Sequence, residues 1–154
     1  MTSTVESGRG EARGPAADDA QGALDPTIEG LRALALEEPL RLNVSGQCME
    51  PAIPDRAEIL VSPRARYWPG DIVAFRSAMG ELRVHRLIGF QWRGGRLLLQ
   101  TRADASGTLD EPFSSQRVIG RVIAAPAEVR VALHERLASI ARFVRLCLGG
   151  AFNR

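Results

Sequence analysis

The sequence predicts a mainly β fold: a single β-domain with a short helix before it and an amphipathic helix after it. Three observations lead there. A chain of 154 residues, 45% of them hydrophobic, can bury one core but not two ordinary ones. Between Leu40 and Ile123, short alternating or apolar runs are broken by Gly and Pro turns roughly every 8 to 14 residues, the pattern of a meander. Beyond residue 130 the apolar period lengthens from two to about 3.6.

The elements follow in order. Met1 to about Asp25 is rich in Gly, Ala, Ser, Thr and acids, with too few large aliphatics to offset its ordering entropy, so 1–25 is expected to be a disordered acidic tail. Asp25-Pro26-Thr27 caps a helix over 26–38, with Ile28, Leu31, Leu34 and Ala35 on one side and Pro39 beyond its end. The β-domain is expected over 39–128. It opens with Leu40, Leu42 and Val44 alternating with Arg41 and Asn43, and continues with a second strand from Ala57 to Ser62. Trp68-Pro69-Gly70-Asp71 is a turn that launches Ile72-Val73-Ala74-Phe75, and Met79-Gly80-Glu81 turns the chain back. Leu82–Phe90, Leu97–Leu99 and Val118–Ile123 complete the strands, with a polar loop from Arg102 to Gln116. In 129–154, Leu133, Leu137, Ile140, Val144 and Leu148 fall on one helical stripe.

Charge narrows the function. The first 29 residues hold six acids and two arginines, so the rest of the chain carries a basic excess over the net +2. The arginines are scattered and no DNA-binding helix pair precedes the core, so no nucleic-acid partner is expected. All 20 basic residues are Arg, which removes every mechanism that needs a lysine base. No run approaches the roughly 18 apolar residues of a membrane span, and the N-terminus lacks the regions of a secretory signal, so the expectation is a cytoplasmic protein. There, Cys48 and Cys147 are not expected to pair.

The informative stretch is Ser45-Gly46-Gln47-Cys48-Met49-Glu50-Pro51-Ala52-Ile53, where a strand gives way to a Gly- and Pro-containing turn. A thiol at a strand exit can meet substrate, whereas an inert cysteine belongs in an apolar run. To supply thiolate near neutral pH it needs a base or cation beside it. His134 sits in the C-terminal segment beside Glu135 and reads as a surface residue; His85 lies inside a strand, on the same face as Arg83 and Leu87. Two separated histidines and two separated cysteines offer no metal-ligand spacing, and no cofactor is implied.

Taken in order, the Gly46–Ile53 box, Trp68-Pro69-Gly70-Asp71-Ile72-Val73-Ala74-Phe75, Arg83-Val84-His85-Arg86-Leu87-Ile88-Gly89, Gln100–Asp110 and Arg117–Ala125 resemble the catalytic core of the signal peptidase I superfamily, which includes the self-cleaving repressors of the SOS response. The resemblance covers residues 40 to 125. In that superfamily a Gly-x-Ser-Met-x-Pro box supplies the nucleophile, and Cys48 stands here in the serine's place. Val84-His85-Arg86 is similar to the Ser-His branch of archaea and the endoplasmic reticulum rather than to the Ser-Lys branch. Ala103 stands for a glycine, and Ser106 for a common asparagine.

The resemblance implies an endopeptidase with Cys48 as nucleophile, His85 as its base and Asp110 orienting His85, Asp104 being the alternative for that last role. It implies a peptide or protein substrate bound as an added strand, with Met49 either lining that groove or sitting in the core. Two other readings stand beside it: a catalytically silent peptide-binding module on the same fold, and a regulator of the SOS-repressor kind. For the C-terminal helix, with Arg136, Arg142 and Arg145, the alternatives are packing on the β-domain and peripheral contact with an anionic membrane or a partner.

Overall fold

The structure, a computed structural model, describes residues 25–125, 136–141 and 143–145. The acidic tail up to residue 24, Leu133, His134, Cys147 and Leu148 lie outside the described residues. Helix α1 (Pro26–Glu37) begins at Asp25, whose carboxylate accepts from the Thr27 amide at 2.9 Å and also pairs with Arg76 on the sheet. Ile28 and Ala35 are its buried residues, while Leu34, expected on the same stripe, is exposed.

Among the described residues seven strands follow: β1 (Leu40–Asn43), β2 (Glu58–Ser62), β3 (Ile72–Arg76), β4 (Leu82–Arg93), β5 (Arg96–Arg102), β6 (Phe113–Ser114) and β7 (Val118–Ala124). They form one curled antiparallel sheet in the order β1-β2-β7-β3-β4-β5-β6, so the mainly β fold is the one observed. β6 falls inside the stretch expected to be loop. At two residues it is too short to show a period, and Phe113 earns its place by stacking on Phe75 with ring centroids 4.2 Å apart.

The sheet buries both faces at its centre, which is why β3 reads as an unbroken apolar run. Ile72 and Ala74 join one cluster with Ile28, Met49, Ile53, Ile59, Val61 and Val122. Val73 and Phe75 join the other with Tyr67, Leu87, Leu99, Phe113 and Val118. Each such side chain withdrawn from water contributes about 1.5–3 kcal/mol, so β3 and its neighbours form a stiff platform. Gly120 lets β7 lie against β2, since a Cβ there would fall 2.7 Å from the Ser62 carbonyl carbon.

A second helical stretch, α2 (residues 136–141 and 143–145), packs on the sheet. Arg136 donates to the buried Asp71 carboxylate at 3.0 Å, Ser139 is fully buried, and the Phe143 ring covers Gly89, where any Cβ would intrude into it. The docked face is therefore Arg136, Ser139 and Phe143. Leu137, Ile140 and Val144, the aliphatic stripe seen in the sequence, point away from the sheet and are exposed.

Candidate active site

Cys48 sits in the loop from Val44 to Ala57, which is pinned at both ends and in the middle. The Val44 amide donates to Ala57 O at 2.9 Å and the Gly46 amide to the Asp55 carboxylate at 2.7 Å. Gly46 adopts φ +103°, a conformation that favours glycine. Met49 and Ile53 are completely buried, and the Ile53 amide donates a hydrogen bond to Met49 O at 2.9 Å, so Met49 is a core residue. With its neighbour driven into the core, Cys48 is left half-buried at the surface of that cluster. Its carbonyl accepts from the Ala105 amide at 3.0 Å, which ties the Cys48 loop to the loop after β5.

That second loop delivers the acid. The Ala103 amide donates to Thr108 O, and Arg102 and Leu109 form a β-bridge. The chain thus makes a closed excursion and returns beside its own strand, where the Asp110 amide donates to Thr101 O at 3.1 Å. On the neighbouring β4, His85 is paired in register with Val73 of β3. Its ring lies 6.0 Å from that of Phe75, and its Nδ1 is 2.6 Å from Asp110 Oδ2. Thr101 Oγ1 donates to the same oxygen at 2.7 Å, Gln100 Nε2 donates to the Asp110 carbonyl, and Arg83 lies 3.5 Å from Oδ1. The His85 and Asp110 side chains are only 10% and 9% exposed, so water screens this contact weakly.

Electrostatics separate the acid from the thiol. Burial alone would raise the Asp110 carboxyl, but hydrogen bonds from His85 and Thr101, with the charges of His85 and Arg83, outweigh it and hold the group below its ordinary value. Asp110 is therefore ionised across the neutral range. Burial pushes the Cys48 thiol up, the charges of Asp110 and Asp104 push it further, and its own backbone amide and Arg83 pull only part of the way back. The resting thiol is protonated, whereas the sequence suggested a thiolate supplied at neutral pH. The reason is tertiary: the fold buries part of the sulfur first, and then sets two carboxylates near it against one arginine.

Asp104 does something different from Asp110. Its two oxygens take three hydrogen bonds from Arg86, at 2.9, 3.0 and 2.7 Å, and Arg86 also donates to Gly70 O at 3.1 Å. The pair braces the loop after β5 against the turn before β3. Asp110, paired with His85, and Asp104 both act on the Cys48 thiol through their charge, but the hydrogen bonds of Asp104 go to Arg86. Among the described residues, no hydrogen bond joins Cys48 Sγ to the His85 ring, and no group of three or more His, Cys, Asp or Glu could hold a metal ion.

Thr101 and Arg83 are the site residues that sequence reasoning did not assign. The signal for Arg83 was its place two residues before His85, on the same face of the strand. Thr101 could be found only from the strand pairing that sets it opposite Leu87. A model of the peptidase S24-like family matches residues 29–123, which includes the Cys48 loop, β4 and the loop carrying Asp104 and Asp110. No curated protein matches the sequence.

Proposed function

We propose that this chain, which belongs to the peptidase S24-like family, is an endopeptidase that cuts an extended peptide with Cys48 as nucleophile, His85 as its base and Asp110 orienting His85. The observation that carries the reading is the 2.6 Å contact between His85 Nδ1 and Asp110 Oδ2, buttressed by Thr101 on the same oxygen. A carboxylate at Nδ1 fixes the tautomer that bears its proton there, leaving Nε2 to accept the nucleophile's proton. The absence of any lysine and the Val84-His85-Arg86 sequence support the Ser-His type of mechanism for this member of the superfamily.

Because the thiol rests protonated, His85 acts as a general base during attack rather than holding a preformed ion pair. Cys48 Sγ bonds to the scissile carbonyl carbon as its proton passes to His85. The tetrahedral intermediate collapses, the C–N bond breaks, and His85 returns the proton to the leaving amine. Water then hydrolyses the thioester with His85 again as base, releasing the acid and restoring the thiol. The Cys48 amide is the natural donor to the developing oxyanion. The substrate lies as an added strand along β1, a sheet edge that leads directly into the Cys48 loop.

The test is incubation of the purified chain with a pool of proteome-derived peptides, new termini being read by mass spectrometry. Cleavage is expected from the native chain, a reduced fraction of it from Cys48→Ser, and none from Cys48→Ala or His85→Ala. One observation favours a second reading, a silent peptide-binding module: the protonated thiol makes no hydrogen bond to the His85 ring. Retention of extended peptides by native chain and Cys48→Ala alike, with no new termini from either, would establish that reading in place of the peptidase.

A further inference from the structure

Two adjacent residues of β5 hold Asp110 at three points. Thr101 O accepts from the Asp110 amide at 3.1 Å, Gln100 Nε2 donates to the Asp110 carbonyl at 2.5 Å, and Thr101 Oγ1 donates to Oδ2 at 2.7 Å. Thr101 is fully buried and Gln100 nearly so, which keeps water from competing for these bonds. The two backbone contacts fix where Asp110 stands, but they leave its carboxylate able to turn about the last torsion, a broad rotation with no sharp well. From β5, only the Thr101 hydroxyl ties down one of the two oxygens.

Two basic side chains of β4 compete for that carboxylate. His85 Nδ1 lies 2.6 Å from Oδ2, the oxygen that Thr101 also binds, and Arg83 Nη1 lies 3.5 Å from Oδ1. A guanidinium takes both oxygens of a carboxylate when the geometry allows, and a rotation of Asp110 toward Arg83 would offer them. Arg83 is restrained on its other side by Glu81, whose Oε2 accepts from Nε at 3.2 Å and from Nη2 at 2.7 Å. That pair is 41% and 60% exposed, so it is a weak restraint. The buried hydroxyl is the stronger one. Thr101 stands opposite Leu87, two residues along β4 from His85, so hydroxyl and imidazole reach Asp110 from one face of the sheet.

We infer that Thr101 is a positioning residue whose hydroxyl keeps Oδ2 of Asp110 on His85 and confines Arg83 to Oδ1. The inference rests on the proposed role of Asp110 in orienting His85 and names the group that holds the acid to that role. Thr101→Val keeps the shape and deletes the hydroxyl, whereas Thr101→Ser keeps the hydroxyl. The first readout needs no substrate: it is the downfield proton NMR resonance of His85 Nδ1–H against the carboxylate, assigned by its absence from His85→Ala. It is expected in the native chain and in Thr101→Ser, and should move upfield or vanish in Thr101→Val. Combining Thr101→Val with Arg83→Gln removes the competitor and should bring it back. Burial raises the Asp110 carboxyl and the bonds from His85 and Thr101 lower it, so Thr101→Val should also titrate that group at a higher pH in carbon NMR. In peptide cleavage Thr101→Val should lower kcat about tenfold or more at unchanged KM, the size of one hydrogen bond to a charged group.

No downfield resonance in the native chain, or a native resonance and carboxyl titration in Thr101→Val, would overturn the inference. So would a Thr101→Ser chain that behaves like Thr101→Val, since only the packing of the methyl group would then matter. If Thr101→Val does not fold, the competition is read in Glu81→Gln, an exposed change that releases Arg83. A resonance that does not move there would overturn the inference as well. The expected NMR responses in a chain that cuts no peptide would support the positioning and sink the peptidase reading alone.

Discussion

Asp104 and Asp110 stand six residues apart in one loop, each against a basic side chain of β4, yet the two pairs are built for different ends. Asp104 grips Arg86 through three hydrogen bonds, and arginine keeps its proton at every working pH, so this pair is a permanent brace. Asp110 meets the His85 imidazole at 2.6 Å through one oxygen and lies 3.5 Å from Arg83 through the other. Alternation along β4 makes the difference: residues 85 and 86 point to opposite faces, so one acid is drawn to the Arg86 brace and the other to His85. Neighbouring acids of one type acquire unlike roles from the partner the strand presents to each.

The sharpest way to break the comparison is to neutralise the acids one at a time. Asp110→Asn is expected to lower peptide turnover by about 10⁴-fold, because an amide no longer selects the productive tautomer. The folded fraction should stay near native, and Asp104→Asn should leave turnover far closer to it. Equal losses in cleavage assays of matched folded protein would erase the distinction.

Stability should order the two acids the other way. Asp104→Ala removes three hydrogen bonds from a guanidinium whose side chain is 7% exposed, and a cost of about 3–5 kcal/mol is expected in urea unfolding. A loss below that of Asp110→Asn would show that Arg86 is braced mainly by Gly70.

Acid adds a subtler contrast. Asp110 has a folded value below its unfolded one, so the stability it confers is complete above the ordinary carboxylate value near 4 (about that, for a free Asp) and is lost as pH falls through the lower folded value. Unfolding midpoints of the native chain should therefore drop on acidification below about pH 4, and Asp110→Asn should flatten part of that drop.

The smallest effect concerns the thiol. With its value raised, Cys48 should react with iodoacetamide more slowly than a free cysteine at neutral pH and accelerate as pH rises into the alkaline range. Arg83→Ala should slow it further, by removing the cation that opposes Asp110 and Asp104. A rate at neutral pH above that of a free cysteine would mean the sulfur is activated in the resting protein.

Much of this was legible in the chain alone. Alternation and turn chemistry are local: Leu40, Leu42 and Val44 could bury one face only as a strand, and Gly94-Gly95 could only turn one, so the mainly β fold and nearly all its strands were written in short windows. The nucleophile box, the histidine strand and the two acids were likewise visible as residue types in order. Three things were decided by tertiary structure. Which acid faces His85 depended on the register of β4 against β5 and on the closed excursion that returns Asp110 beside Thr101, neither of which has a local signature. Protonation of Cys48 depended first on its burial against the core and then on charges brought close from positions 83, 104 and 110, since both follow packing in space and not order in sequence. The direction of α2 was settled by the buried Asp71 and the bare backbone of Gly89, which gave Arg136 and Phe143 better seats than the aliphatic stripe could find and left that stripe facing outward.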